Sequence, residues 1–179
     1  MRSLVVYESM YGNTHLVAEA IGRGLATAGP VAVVPVADAT AERVADADLV
    51  VVGGPTHAHA MSRENTRKGA IDDARDPDNH LTLDADAEGE GLREWFDDLP
   101  VAVAKGAAFD TRFHLSPLLT GRASKGIAKR LRRHGVELVD EPESFFVEQG
   151  NVLEDGETAR AESWGVALGA RVAEVSTAR

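Results

Sequence analysis

The chain contains no cysteine, which excludes disulfides, thiolate metal centres and cysteine nucleophiles. Aromatic residues make up only 5% of it. No apolar run approaches the length of a membrane span; the longest are strand-sized. Positive charge is scarce: 19 Lys and Arg stand against 29 Asp and Glu, a formal net charge of −10. Such a balance argues against nucleic-acid binding, which relies on Lys and Arg to neutralise phosphates. Met1-Arg2 leads straight into a short apolar strand, without the regions of a signal peptide. Together these absences predict a cytoplasmic protein with no membrane span. What is present, 44% hydrophobic residues in a chain of 179, suits one domain with a full core, residues 1–179.

The most informative stretch is Ser9-Met10-Tyr11-Gly12-Asn13-Thr14. It follows the apolar strand Leu4-Val5-Val6-Tyr7 and precedes Val17, Ala20, Ile21, Gly24, Leu25 and Ala28, the spacing of one helix face. A turn of this kind brings the unpaired N–H groups of a first helical turn to a loop rich in hydroxyls, a natural anion site. The loop has no Lys. A phosphate gripped by neutral dipoles suits a bound cofactor better than a nucleotide undergoing phosphoryl transfer. The bland alternative is a strand-to-helix turn in which Asn13 or Thr14 merely caps the helix.

Further strands are expected at Val31–Val36, Leu49–Val52 and Val101–Ala104, with a broken fifth at Val136–Val139 and Phe145–Val147. Pro35 cannot donate a ladder hydrogen bond, so the second strand belongs at a sheet edge. Helices are expected near Ala41–Val44, around Leu92–Leu99, over Ser124–His134 with Ser124 as N-cap, and over Thr158–Ala173. Strand and helix alternate about five times, which predicts an α/β fold with a doubly wound, five-stranded parallel sheet and helices on both faces. Ser9–Thr14, Gly53–His59 and Ala108–Arg112 each follow a strand in this reading and converge on one rim. Residues 61–89 exceed what a crossover needs and read as an acidic insertion, either a lid over the site or a solvated excursion.

Tyr7 to Thr14, with Val17, Ala18 and Ile21 downstream, resembles the flavodoxin family: Ser9, Tyr11, Gly12, Asn13 and Thr14 match its phosphate loop. Gly54-Pro55-Thr56 looks like its second flavin-binding loop. The resemblance implies a strand order 2-1-3-4-5, FMN as cofactor, and cofactor contacts from Ser9, Met10, Tyr11, Gly12, Asn13, Thr14, Pro55, Thr56, His57, Ala58, Phe109, Asp110, Thr111 and Arg112. In the distal half, Phe109–Arg112, Ile127–Leu131 and Ser144–Val147 are similar to flavodoxin-domain proteins related to menaquinone-dependent protoporphyrinogen oxidases. The chain departs from the electron-carrier pattern at the flanks. His57 stands where carriers usually have a Trp-type residue, the third loop offers Phe109 and Phe113 but no Tyr, and its acidic Gly-Asp turn is missing.

His57 is a candidate to stack on the flavin or to donate it a proton; a metal role with His59 lacks partners, and no metal is expected. Arg112 is a candidate to stabilise a reduced, anionic flavin or to take an anionic substrate; the alternative is a surface Arg beside a core Phe. The basic stripe Arg122, Lys125, Lys129, Arg130, Arg132 and Arg133 reads first as a solvated helix face. The function expected is FMN-dependent electron transfer, with no catalytic side chain. Two alternatives stand beside it: an oxidoreductase acting on a quinone, porphyrinogen or other small aromatic, and an interaction module with weak or no FMN binding. The partner is accordingly a redox protein or a small aromatic.

Overall fold

The computed structural model describes residues 1–57, 59–99, 105–148 and 150–177. Strand β1 (Ser3–Tyr7) is buried throughout and lies between β2 (Val31–Pro35) and β3 (Leu49–His57), parallel to both. Next to β3 runs β5 (Lys105–Phe113), also parallel. A short antiparallel strand, β4 (Ala60–Met61), folds back on the end of β3. The last position of the sheet is shared: β6 (Glu137–Leu138) pairs with the start of β5 and β7 (Glu143–Val147) with its end. The order β2-β1-β3-β5-β6 is the flavodoxin-like one, with β2 at the edge, where Pro35 lacks a donor to offer.

Period-two alternation sends Leu4 and Val6 to one face of the sheet and Val5 and Tyr7 to the other, so both faces need cover. On one side lie α2 (Ala41–Ala45), α4 (Leu92–Asp98) and α6 (Ala123–Arg133), which bring Val44, Trp95, Phe96, Ile127 and Leu131. Trp95 is a core residue there, its indole N–H donating to the Ala39 carbonyl at 2.8 Å. On the other side lie α1 (Asn13–Leu25) and α7 (Glu157–Thr177), which bring Val17, Ile21, Leu25, Ala161 and Leu168. Each such side chain, fully buried, is worth roughly 1.5–3 kcal/mol relative to exposure. Two further helices, α3 (Glu64–Arg75) and the single-turn α5 (Pro117–Thr120), lie at the carboxyl rim.

The expected elements differ from these in three places, and a fourth expectation lies outside the described residues. The fourth strand was expected at Val101–Ala104, which lies outside the described residues; the strand beside β3 is β5. Residues 108–112 therefore belong to that strand instead of following it, because the polar run Asp110-Thr111-Arg112 finds hydrogen-bonding partners inside the sheet layer. Gly53–Thr56 does not close β3 but continues it to His57, since parallel pairing with β5 runs on to Pro55 and Thr111. Ser124 is not the N-cap of α6; Arg122 is, and Ser124 sits inside the first turn. Within 61–89, α3 packs Ala70 and Ile71, with Leu83 and Ala87, against Met10 and Tyr11.

Helices α1 and α7 touch through glycine. A Cβ on Gly165 would lie 2.3 Å from the Ile21 carbonyl oxygen, and one on Gly24 would lie 2.1 Å from that of Glu162. Exposed Gly69, in α3, has open space around it. Gly165→Ala is expected to lower stability by about 1–3 kcal/mol in urea denaturation, and Gly69→Ala to raise it by about 0.5–1 kcal/mol. Equal effects at the two positions would contradict this packing.

Candidate functional site

The carboxyl ends of β1, β3, β5 and β7 open onto one cavity of about 490 Å³. It lies at the point where strand order reverses, β1 having β2 on one side and β3 on the other. Of the residues expected to hold a cofactor, Met10, Tyr11, Asn13, Thr14, Pro55, Thr56, His57, Thr111 and Arg112 line it.

The loop after β1 aims α1 at this cavity. Gly12, the N-cap, has φ of 90°, a left-handed conformation that glycine adopts without strain. Its N–H donates to Ser9 Oγ at 3.1 Å, and its carbonyl accepts the first helical bond, from Leu16 N–H at 2.9 Å. The amides of Asn13, Thr14 and His15 have no acceptor in the protein among the described residues. Three such donors at the positive end of a thirteen-residue helix fit an anionic group.

The loop's side chains mostly brace this turn. Asn13 Nδ2 donates to the carbonyl and to Oδ1 of Asn151, at 2.9 and 3.1 Å. Thr14 Oγ1 pairs with Thr111 Oγ1 at 2.7 Å, joining α1 to β5. The Tyr11 hydroxyl donates to the Ala70 carbonyl at 3.0 Å, tying α3 down. Ser9 is buried behind the turn and does not line the cavity.

Phe109 and Asp110 do not line it either. Phe109 points into the core, fully buried, its ring stacked edge-on against Phe145 and Trp164 and filling the space a Gly53 side chain would take. Asp110 is fully buried: its Oδ2 accepts from Thr56 Oγ1 at 3.0 Å and from Ser124 N–H at 2.8 Å. Thr56 Oγ1 in turn accepts from Ala123 N–H at 2.9 Å. The first amides of α6 are thus satisfied by the protein itself, unlike those of α1. Ala58 lies outside the described residues.

Arg112 is no surface residue; it is 9% exposed. Its Nη1 donates to the carbonyls of Phe113 and Leu115 and to Thr120 Oγ1, at 3.1, 2.8 and 3.2 Å, holding the segment over the cavity mouth. Its guanidinium lies 4.9 Å from the centre of the Phe146 ring. Burial pushes its pKa down; Asp110 opposes this and Arg122 adds to it. For His57, burial first and Arg67 second push the pKa down, so the ring stays neutral at pH 7.

The cavity also takes in His59, Phe113 and Val147, which stand outside the expected cofactor set, and Leu115, Leu119, Thr120 and Asn151, which the sequence did not single out. Ser116-Pro117 and Gly150-Asn151 are turn dipeptides, a signal that the chain bends there but not that it bends toward a site. Phe113, Leu115, Leu118 and Leu119 are all substantially exposed and form an apolar lip.

Behind the loop, Glu8 is buried, its Oε2 accepting from Leu92 N–H at 2.8 Å while Oε1 has no partner. Burial raises its pKa, against the pull of Ser62, the Leu92 amide and Arg67.

A sheet of this order, covered on both faces and carrying an anion-binding helix N-terminus at its switch point, defines a doubly wound α/β protein built to hold a phosphorylated cofactor. The model of the flavodoxin family matches residues 5–95, just over half of the chain, and the protein belongs to that family, whose members bind FMN. An archaeal flavodoxin shares the fold at 21% identity and a TM-score of 0.63, with 97% of this chain and 99% of that one covered. Flavodoxin 1 of Bacillus cereus is similar at 17% identity and a TM-score of 0.63, covering 97% and 98%. The flavodiiron protein of Giardia intestinalis matches 97% of this chain over 36% of its own, at 20% identity and a TM-score of 0.62. No curated protein sequence matches the chain. Among the described residues no helix is long and apolar enough to cross a membrane.

A carboxyl whose pKa is raised on folding weakens the fold as it ionises, so stability falls as pH climbs through the window between its unfolded and folded values. Glu8→Gln is expected to remove that loss: in urea titrations between pH 4 and 8 the variant's midpoint gains on the wild type as pH rises. A constant difference between the two would exclude the assignment.

Proposed function

We propose that this protein holds FMN noncovalently in the cavity and passes electrons between redox partners. One observation carries the reading: the three amides of Asn13, Thr14 and His15, without acceptors, at an α-helix N-terminus that opens on a cavity at the switch point. Gly12 sets their direction, Asn151 and Thr111 hold Asn13 and Thr14 in place, and Pro55, Thr56 and His57 supply the facing wall. FMN, when bound, supplies the redox chemistry; this chain anchors its phosphate, excludes water with α3 and the 113–121 segment, and sets the charge around the ring. His57, neutral at pH 7, acts here as a wall group and not as a resident proton donor. The cytoplasm is the compartment this reading assumes, on the sequence alone.

A second reading, an oxidoreductase for a quinone or other small aromatic, is supported by the apolar lip of Phe113, Leu115, Leu118 and Leu119 at the mouth. The lip offers a flat apolar acceptor a surface beside the cavity.

The absorption spectrum of the purified protein, with released flavin identified, tests the first reading. FMN is expected, bound at least tenfold more tightly than riboflavin, which lacks the phosphate. A colourless protein that takes up no added FMN ends the proposal. Asn13→Ala with Thr14→Ala should loosen FMN by tenfold or more, since each residue holds the amide turn in place. Rapid NADPH oxidation with a quinone acceptor and no reductase present would favour the second reading over the first.

A further inference from the structure

We propose that Arg112 is an electrostatic site in the cavity wall for the negative charge that a flavin gains on reduction. The inference rests on the FMN reading above and assigns a task to one residue of it. Arg112 lines the cavity and is nine-tenths buried. Among the described residues no carboxylate lies within ion-pair distance of its guanidinium, and its buried Nε–H has no acceptor. The remaining bonds run to neutral oxygens, two carbonyls and a hydroxyl, so the positive charge is not cancelled at contact.

Asp110, two residues back on β5, offsets part of this charge from beyond ion-pair distance, with its Oδ2 engaged by Thr56 and Ser124. Arg122, ahead of α6, adds a second cation and donates to the Pro142 carbonyl. Phe146 is stacked on His114, which contacts Glu154 at 3.1 Å on the protein's exterior. His57, across the cavity, is neutral at pH 7.

A buried cation with no carboxylate in contact favours an anion over a neutral guest of the same shape. The oxidised flavin ring is neutral. Two electrons and one proton leave the ring with one negative charge; two electrons and two protons leave it neutral. Arg112 favours the first outcome. The electrons come from a donor redox protein, or from the electrode in the experiment, one proton is taken up, and the second stays in solvent. Reduced FMN is then bound more tightly, relative to oxidised FMN, than it would be with a neutral residue at position 112.

The test measures reduction potentials spectroelectrochemically on FMN-loaded wild type, Arg112→Met, Arg112→Lys and Lys129→Gln from pH 6 to 9. FMN affinity is measured in both oxidation states. Arg112→Met is expected to weaken reduced FMN ten- to a hundredfold more than oxidised FMN, lowering the two-electron potential by about 30–60 mV. Arg112→Lys, which keeps the charge, restores most of it. Lys129→Gln removes an exposed cation on α6 that does not line the cavity, and leaves the potential where it was. In the wild type, uptake of one proton with two electrons gives a slope of about 30 mV per pH unit.

A slope of about 59 mV per pH unit, two protons with two electrons, overturns the proposal even if no variant folds. So does an Arg112→Met protein that loses affinity for both oxidation states equally, which makes the residue a brace for the 113–121 segment. A wild type that takes up no FMN ends the cofactor reading and this inference together. A changed affinity without a changed potential ends this inference alone.

Discussion

The carboxylate of Asp110 decides which helix faces a ligand. Helices α1 and α6 both present their N-termini at the carboxyl rim of the sheet, and each carries donors that must find acceptors. Asp110 and Thr56 fill that need at α6: the Ala123 and Ser124 amides are both engaged. Among the described residues no side chain does the same at α1. The difference makes one terminus a structural joint and leaves the other with unpaired donors facing the cavity, although the fold treats the two helices alike. The joint also fixes the end of β3 against β5, because Thr56 and Asp110 belong to those neighbouring strands.

The rest of the rim is arranged around that open terminus. Thr111 reaches it from β5 and Asn151 from the loop after β7, so two separate segments hold one turn. The division of the last strand into β6 and β7 serves the same end. By pairing with Phe109 to Phe113, β7 moves toward the rim, and Val147 becomes part of the cavity wall. Segment 61–89 contributes a helix, α3, latched by the Tyr11 hydroxyl on one side and by Arg67 on the other; Arg67 donates to Ser62 and pairs with Glu94 at 3.2 Å.

Much of this was legible before any coordinates. Buried strands and one-sided helices leave patterns of period two and 3.6, and Pro35 marks the edge strand by a donor it does not have. The Ser9–Thr14 turn was readable because its hydroxyls and glycine are consecutive. What escaped was non-local. Phe109 stands near the motif residues and so resembles a flank for a ring, yet its side chain packs over Gly53 in the core beneath α1 and α7. The same contact explains Gly53, and Leu92 explains Gly54, since a Cβ there would come within 2.7 Å of its side chain. Half of the Gly-Gly-Pro-Thr stretch thus records core packing and not cofactor chemistry. Asn151 and Leu119 could not be found from spacing at all, being brought to the cavity by turns whose direction is set by tertiary contacts. Ser124 has the side-chain type of a cap, yet the helix begins earlier because Thr56 and Asp110 do that work from another part of the chain.

The contact between Gly24 and Gly165 has a consequence for the rim as well. Where two helix backbones touch, neither can slide along the other by a turn, about 5.4 Å, without bringing a side chain into a gap that admits none. The seam between α1 and α7 is therefore a mechanical stop. It sets the height at which α1 begins relative to the sheet, and with it the depth at which a guest's charged end must come to rest.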